Sequence, residues 1–266
     1  MIELVFSQAS FFKRIIDSLK DLVEDITFNC NNDGLTLQAI DVSHVALISI
    51  ELSSDTFERY TCPNEFELSF NVSTLLKVLK SASATDSLTI KTDNQNDDIE
   101  MQLNSPNDEK STRFRLRPVD VSKENVSIPE HQYKAKLSLG SEGFKQLVSS
   151  LSKVNDTVLV KCTEGSVSFT VSDTLLSATT TYNPGEVPGS VDDDVEVNVS
   201  EACKVSYALR YLKAISAASA LTGRVNLCFS TNFPLLIEYQ LTEGGYVRFY
   251  LAPKVDDEAN DSDDEI

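Results

Sequence analysis

The sequence predicts an α+β protein made of two topologically similar domains, each with antiparallel sheets and two helices. Three observations predict it. An internal repeat spans about half the chain, amphipathic segments of helical period recur at matching places, and most of the remainder alternates apolar and polar residues. "FKRIIDSLKDLVEDITFNC", from Phe12 to Cys30, matches "FKQLVSSLSKVNDTVLVKC", from Phe144 to Cys162, at a constant displacement of 132 residues. Phe12, Ile15, Ile16, Leu19 and Val23 share one helical face, and Phe144, Leu147, Val148 and Leu151 reproduce the first four. Each helix leads into an alternating run, Ile26, Phe28, Cys30 or Val158, Val160, Cys162, and then a turn at Asp33-Gly34 or Glu164-Gly165, which predicts a hairpin.

A second match, at a displacement of 133, pairs "STLLKVLKSA" from Ser73 with "SYALRYLKAI" from Ser206. It predicts two further short helices, with apolar faces Leu75, Leu76, Leu79 and Ala208, Leu209, Leu212, and aligns Lys77 with Arg210 and Lys80 with Lys213. Runs such as "VALISIEL", "SLTIKT" and "SVSFTVS" read as strands. Residues 118 to 133, bracketed by Pro118 and Pro129, lack helical period. The domains expected are therefore 1–117 and 135–255, joined by a linker over 118–134 and followed by an acidic, disordered tail over 256–266.

With 266 residues, 41% of them hydrophobic and only 9 Gly and 8 Pro, the chain can bury a large core, which excludes global disorder and a collagen-like fold. No apolar run is long enough for a membrane span and no leader pattern opens the chain, so an intracellular protein is expected. The five cysteines are scattered and form no CxxC pair, and there are two histidines, so no disulfide framework, metal site or cofactor is expected. GxGxxG, Walker, HExxH and GxSxG patterns are absent, and no catalytic residue is assigned.

Net charge is -18, which taken alone argues against nucleic acid, but seven acids lie in the tail and others cluster at Asp192, Asp193, Asp194 and Glu196. The basic residues are concentrated elsewhere. Lys13, Arg14 and Lys20 fall on the first predicted helix, Lys77 and Lys80 on the second, Lys145 and Lys153 on the third, Arg210 and Lys213 on the fourth. If the helices share one face of the molecule, their outer sides merge into a basic surface that suits phosphates without reading bases.

Six segments carry a resemblance: "LKDL" at Leu19, "LQAIDVSHVAL" at Leu37, "LKVLK" at Leu76, "IPEHQY" at Ile128, "ALRYL" at Ala208 and "YLAPK" at Tyr250. Together with the length, duplication and acidic tail, they make the chain similar over essentially its full length to the eukaryotic DNA sliding clamps of the proliferating cell nuclear antigen family. The resemblance implies the DNA clamp fold, a closed homotrimeric ring with helices lining the hole, and a role in the nucleus as polymerase processivity factor. It adds Lys110 to the DNA-facing cations. It implies a partner pocket under the linker formed by Ile40, His44, Val45, Leu47, Val126, Ile128, Pro234, Tyr250, Ala252, Pro253 and Lys254.

The partners implied are duplex DNA, a replicative DNA polymerase, the clamp loader replication factor C, flap endonuclease, DNA ligase and other proteins bearing a short glutamine-aliphatic-aromatic motif. Subunit closure would use edge strands at 109–117 and 175–182, with Arg113, Phe114, Arg115, Leu175, Ala178 and Thr180 at the interface. Where the family carries a lysine that receives ubiquitin or a related modifier, this chain has Glu164, and Lys161 is the nearest amine. Two other readings stand beside the clamp: a subunit of a heterotrimeric checkpoint clamp, and an acidic chaperone of basic proteins.

Overall fold

The computed structural model describes residues 1–94, 97–107, 109–121, 126, 128, 131–185, 194–242 and 244–254. The acidic tail and Asp192 and Asp193 lie outside them. The first half runs β1 (Ile2–Phe6), α1 (Ala9–Asp17), β2 (Asp25–Cys30), β3 (Gly34–Ile40), β4 (Ala46–Ser53), β5 (Arg59–Thr61), β6 (Phe66–Asn71), α2 (Val72–Leu79), β7 (Ser87–Thr92), β8 (Ile99–Asn104) and β9 (Ser111–Leu116). The second half repeats that order. It runs β10 (Ala135–Gly140), α3 (Ser141–Leu151), β11 (Thr157–Thr163), β12 (Ser166–Ser172), β13 (Ser177–Tyr182), β14 (Glu196–Val199), β15 (Cys203–Ala208), α4 (Leu209–Ile215), β16 (Arg224–Phe229), β17 (Leu235–Gln240) and β18 (Gly245–Leu251).

The pairing repeats as well. The first half contributes a sheet ordered β5-β1-β7-β8-β9, and its counterpart in the second half is β14-β10-β16-β17-β18. The other sheet, β6-β2-β3-β4, has the counterpart β15-β11-β12-β13. All pairs are antiparallel, and β18 joins β4 from Gly245↔Leu52 to Leu251↔Ala46, which fuses two of these four sheets into one that crosses from half to half. Gly245 makes this junction possible. Its φ is +108°, and a Cβ there would lie 1.9 Å from the Glu51 carbonyl oxygen, so a side chain would push the strands apart.

The helices bury their apolar stripes on the sheets. Phe11, Phe12, Ile15 and Ile16 of α1 are buried, with Phe12 stacked on Phe6 of β1 at 4.9 Å, and Phe144, Leu147, Val148 and Leu151 do the same in α3. Asn71 caps α2 by accepting from the Thr74 N–H at 3.0 Å. Helix α1 packs on α2 and α3 on α4, while the 3-10 turn Ser216–Ala220 touches both α3 and α1, so the four helices form one contiguous layer. No helix among the described residues is long and apolar enough to cross a membrane.

Three sequence expectations are corrected. Helix α1 stops at Asp17, where the Ser18 hydroxyl bonds to the Ile15 carbonyl; the chain continues in tighter turns, which keep Leu19 and Val23 buried but place Lys20 beyond the helix. Helix α4 begins at Leu209, because Ser206 to Ala208 are still paired with β11. Ala208 is therefore the last strand residue, not part of a helical face. The displacement between β6-α2-β7 and β15-α4-β16 is 137 residues, as in Phe66 to Cys203, Val72 to Leu209 and Ser87 to Arg224, so Lys77 and Arg210 are not equivalent positions.

Candidate functional site

The helix layer carries the predicted cations outward. Lys77 lies in α2 with Lys80 at its end, Lys145 in α3 with Lys153 just beyond it, Arg210 and Lys213 in α4, and all six are exposed. Lys13 and Arg14 of α1 are half-buried. Lys20 meets Asp17 at 3.5 Å and Lys145 meets Glu142 at 3.8 Å; both are surface pairs that neutralise little. Among the described residues no carboxylate lies within ion-pair reach of Lys13, Lys77, Lys80, Lys153 or Lys213. Lys110 is exposed in the β8–β9 turn, where its backbone N–H donates to the Ser105 hydroxyl at 3.1 Å.

On the opposite face, the pairing registers Ile40↔Leu47, Leu47↔Tyr250, Tyr250↔Leu236 and Leu236↔Cys228 set five half-buried side chains in a row across β3, β4, β18, β17 and β16. Residues directly opposite in antiparallel strands point to the same side, so the row is a continuous apolar strip. The next row is polar: Arg248 donates to Glu238 at 2.7 Å and its guanidinium lies 3.7 Å from the Tyr246 ring centroid. At the strip's upper end the Ala252 N–H donates to the Val45 carbonyl at 2.9 Å and the Lys254 N–H to the Ser206 carbonyl at 2.8 Å, which fixes Ala252, Pro253 and Lys254 beside it. The Tyr133 hydroxyl donates to the Pro234 carbonyl at 3.0 Å, and His131 stacks on Phe233.

The turn from Asp41 to Ala46 is shaped by one carboxylate. Asp41 accepts from the N–H groups of Ala46 at 2.6 Å, Val45 at 2.7 Å and Ser43 at 3.0 Å, and from the Tyr211 hydroxyl of α4 at 3.0 Å. Burial pushes this carboxyl upward, but the four donors outweigh it and hold it below the ordinary value for aspartate. The turn presents His44, at φ +55°, outward. His44 and Ile40 line a groove of about 750 Å³ that runs from β2 to Asp120 and Val121 at the start of the linker. Val126 is 40% exposed and Ile128 half-buried.

The structure thus gathers Ile40, Val45, Leu47, Tyr250 and Ala252 at one end of the strip, with Pro234 on the adjoining β16–β17 loop. Sequence reasoning missed Leu236 and Tyr133. Leu236 occupies an outward position in "LLIEYQL", and an apolar residue at an outward strand position was the signal available.

Among the edge strands of the three sheets, β9 and β13 are the counterparts of the joined pair β18 and β4 and have no such partner among the described residues. On β9, Arg113 and Arg115 are exposed while Phe114 turns inward; on β13, Ala178 and Thr180 turn inward. Leu175 lies in the turn before β13, 96% exposed, where Asp173 accepts from the Leu175 and Leu176 N–H groups at 2.7 and 2.8 Å. Glu164 sits in the β11–β12 turn and Lys161 is exposed on β11.

Comparison with known proteins matches residues 1–125 to the N-terminal domain of proliferating cell nuclear antigen and residues 127–254 to its C-terminal domain. The chain belongs to the proliferating cell nuclear antigen family. It is 34% identical over 258 residues to the proliferating cell nuclear antigen of Chaetomium thermophilum, an alignment that covers 97% of this chain and all of that one. It is accordingly a DNA sliding clamp and polymerase processivity factor of DNA replication and repair.

Proposed function

We propose that three copies close head to tail into a ring around duplex DNA, with β9 of each subunit paired to β13 of the next. The observation that carries this is the repeat of the pairing itself. β9 is the counterpart of β18 and β13 of β4, and β18 and β4 are joined within the chain while β9 and β13 are left free. A heterologous contact of this kind, copied from an internal one, closes by rotation and covers the free edges of β9 and β13.

The internal junction also predicts the register. Stepping across equivalent strands aligns Phe114 with Phe249 and Ala178 with Ile48, and Phe249 pairs with Ile48, so Phe114 faces Ala178 of the partner subunit. Cysteines placed at Phe114 and Ala178 should crosslink subunits in high yield on mild oxidation, whereas cysteines at Phe114 and Tyr182 should not. The reverse pattern would displace the strand pairing proposed.

In the ring, the helix layer faces DNA and its long lysine and arginine side chains make weak, exchangeable phosphate contacts that leave the clamp free to slide. The apolar strip faces outward and takes the aliphatic and aromatic anchors of partner motifs, with the linker residues Val126 and Ile128 closing over them and Ala252, Pro253, Lys254 and His44 at the polar end. The clamp is then a scaffold in the nucleus. Its chemistry belongs to bound partners: the replicative polymerase, replication factor C, flap endonuclease and DNA ligase. Exchanging both Ile128 and Tyr250 for Ala should weaken a partner-motif peptide by about 2–4 kcal/mol, since buried aromatic and aliphatic contacts dominate such sites. Calorimetry showing equal affinity would remove the strip as the docking site.

A further inference from the structure

We propose that Cys162 and Cys203 form a cross-strand dithiol that peroxide converts into an intramolecular disulfide, fastening the edge strand β15 to β11. The two residues are directly opposite in the antiparallel ladder, and both are buried, at 0% and 7% exposure. Opposed residues in such a ladder have Cα atoms about 4.5–5.5 Å apart, inside the range of about 4.4–6.8 Å that a disulfide spans, so the bond needs little backbone movement. Side chains directly opposite in such a ladder lie on the same side of the sheet, so the two thiols adjoin. Their mutual contact holds the Cys203 thiol below the ordinary value and pushes Cys162 up, which favours thiolate at Cys203.

Position makes Cys203 the point of entry. It is the first residue of β15, which is an edge strand, so local fraying exposes it while Cys162 on the interior strand stays covered. The equivalent place in the first half cannot do this, because Cys30 there faces Phe66. Cys228 is on a different sheet, at the far end of the apolar strip.

The chemistry balances with hydrogen peroxide as the oxidant. The Cys203 thiolate attacks one peroxide oxygen, the O–O bond breaks, and hydroxide leaves as water with the thiol's proton. The Cys162 sulfur then attacks the sulfenic sulfur of Cys203, the S–O bond breaks, and a second water departs with the Cys162 proton. Two thiols lose two electrons in all, and one peroxide becomes two waters. The bond closes the segment from Thr163 to Ala202, which carries β12, β13 and β14.

The test uses the reduced full-length protein, treated with a small excess of hydrogen peroxide, alkylated, digested without reductant and mapped by mass spectrometry. A dithiothreitol-sensitive peptide linking Cys162 to Cys203 is expected in the wild type and in Cys228→Ser, and is expected to be missing from Cys203→Ser. The proposal is overturned if both cysteines of the natively oxidised wild type are recovered alkylated or over-oxidised, or if the link forms only after unfolding in urea.

Discussion

Replacing Phe114 with aspartate should turn the proposed trimer into monomers. Phe249, its counterpart, is fully buried because β4 covers it, whereas Phe114 is only partly buried because β9 is paired with β8 alone and its outer edge is open. The surface left open on Phe114 is the surface that β13 of the partner subunit is proposed to cover. A carboxylate there would be shut between two sheets, opposite Ala178, with no partner to satisfy it, at a cost of several kcal/mol for each of three interfaces. The folded subunit should survive, since the unassociated edge leaves the aspartate access to water. Sedimentation at about micromolar concentration reads the outcome: a trimer for the natural chain, monomers for the variant. A variant that still sediments as a trimer would place the interface elsewhere.

The second large effect lies on the helix layer. Reversing Lys20, Lys77 and Arg210 to Glu should leave the trimer intact, because none of the three lies on β9 or β13. Loader-dependent processive synthesis should fall by about tenfold or more, as each subunit loses phosphate contacts and gains repulsion in their place. Rising salt should weaken the natural clamp toward the same state. Processivity unchanged by the three reversals would reduce these cations to ordinary solvated residues.

Much of this was legible in the sequence, for physical reasons that differ by element. The period of Phe12, Ile15 and Ile16 and its copy at Phe144, Leu147 and Val148 announced both long helices, because a stripe that must bury itself cannot be random. Where each helix ends was not legible: Leu19 and Val23 stay buried in 3-10-like turns, whose spacing of three mimics the helical stripe.

The displacement of the second helix pair misled for a related reason. A shift of four residues is about one helical turn, so aligning Lys77 with Arg210 kept the cations on the outer face while misplacing them along the axis. The apolar strip was visible only in part. Ile40, Leu47 and Tyr250 came with the resemblance, but Leu236 joins them through the register of β17 on β18, a property of long-range pairing that local sequence does not hold. The same holds for Cys162 and Cys203, distant in sequence and opposed only once β15 has paired with β11.

If topology holds the DNA, cutting a loaded circle should release the clamp. The clamp is loaded by replication factor C onto a nicked circular plasmid, freed of unbound protein by gel filtration in high salt, and the plasmid is then cut once. The clamp should co-elute with the circle and be lost when the circle becomes linear, because the ring slides off a free end. Equal retention on circular and linear DNA would mean that direct contacts hold the protein, and would contradict holding by topology.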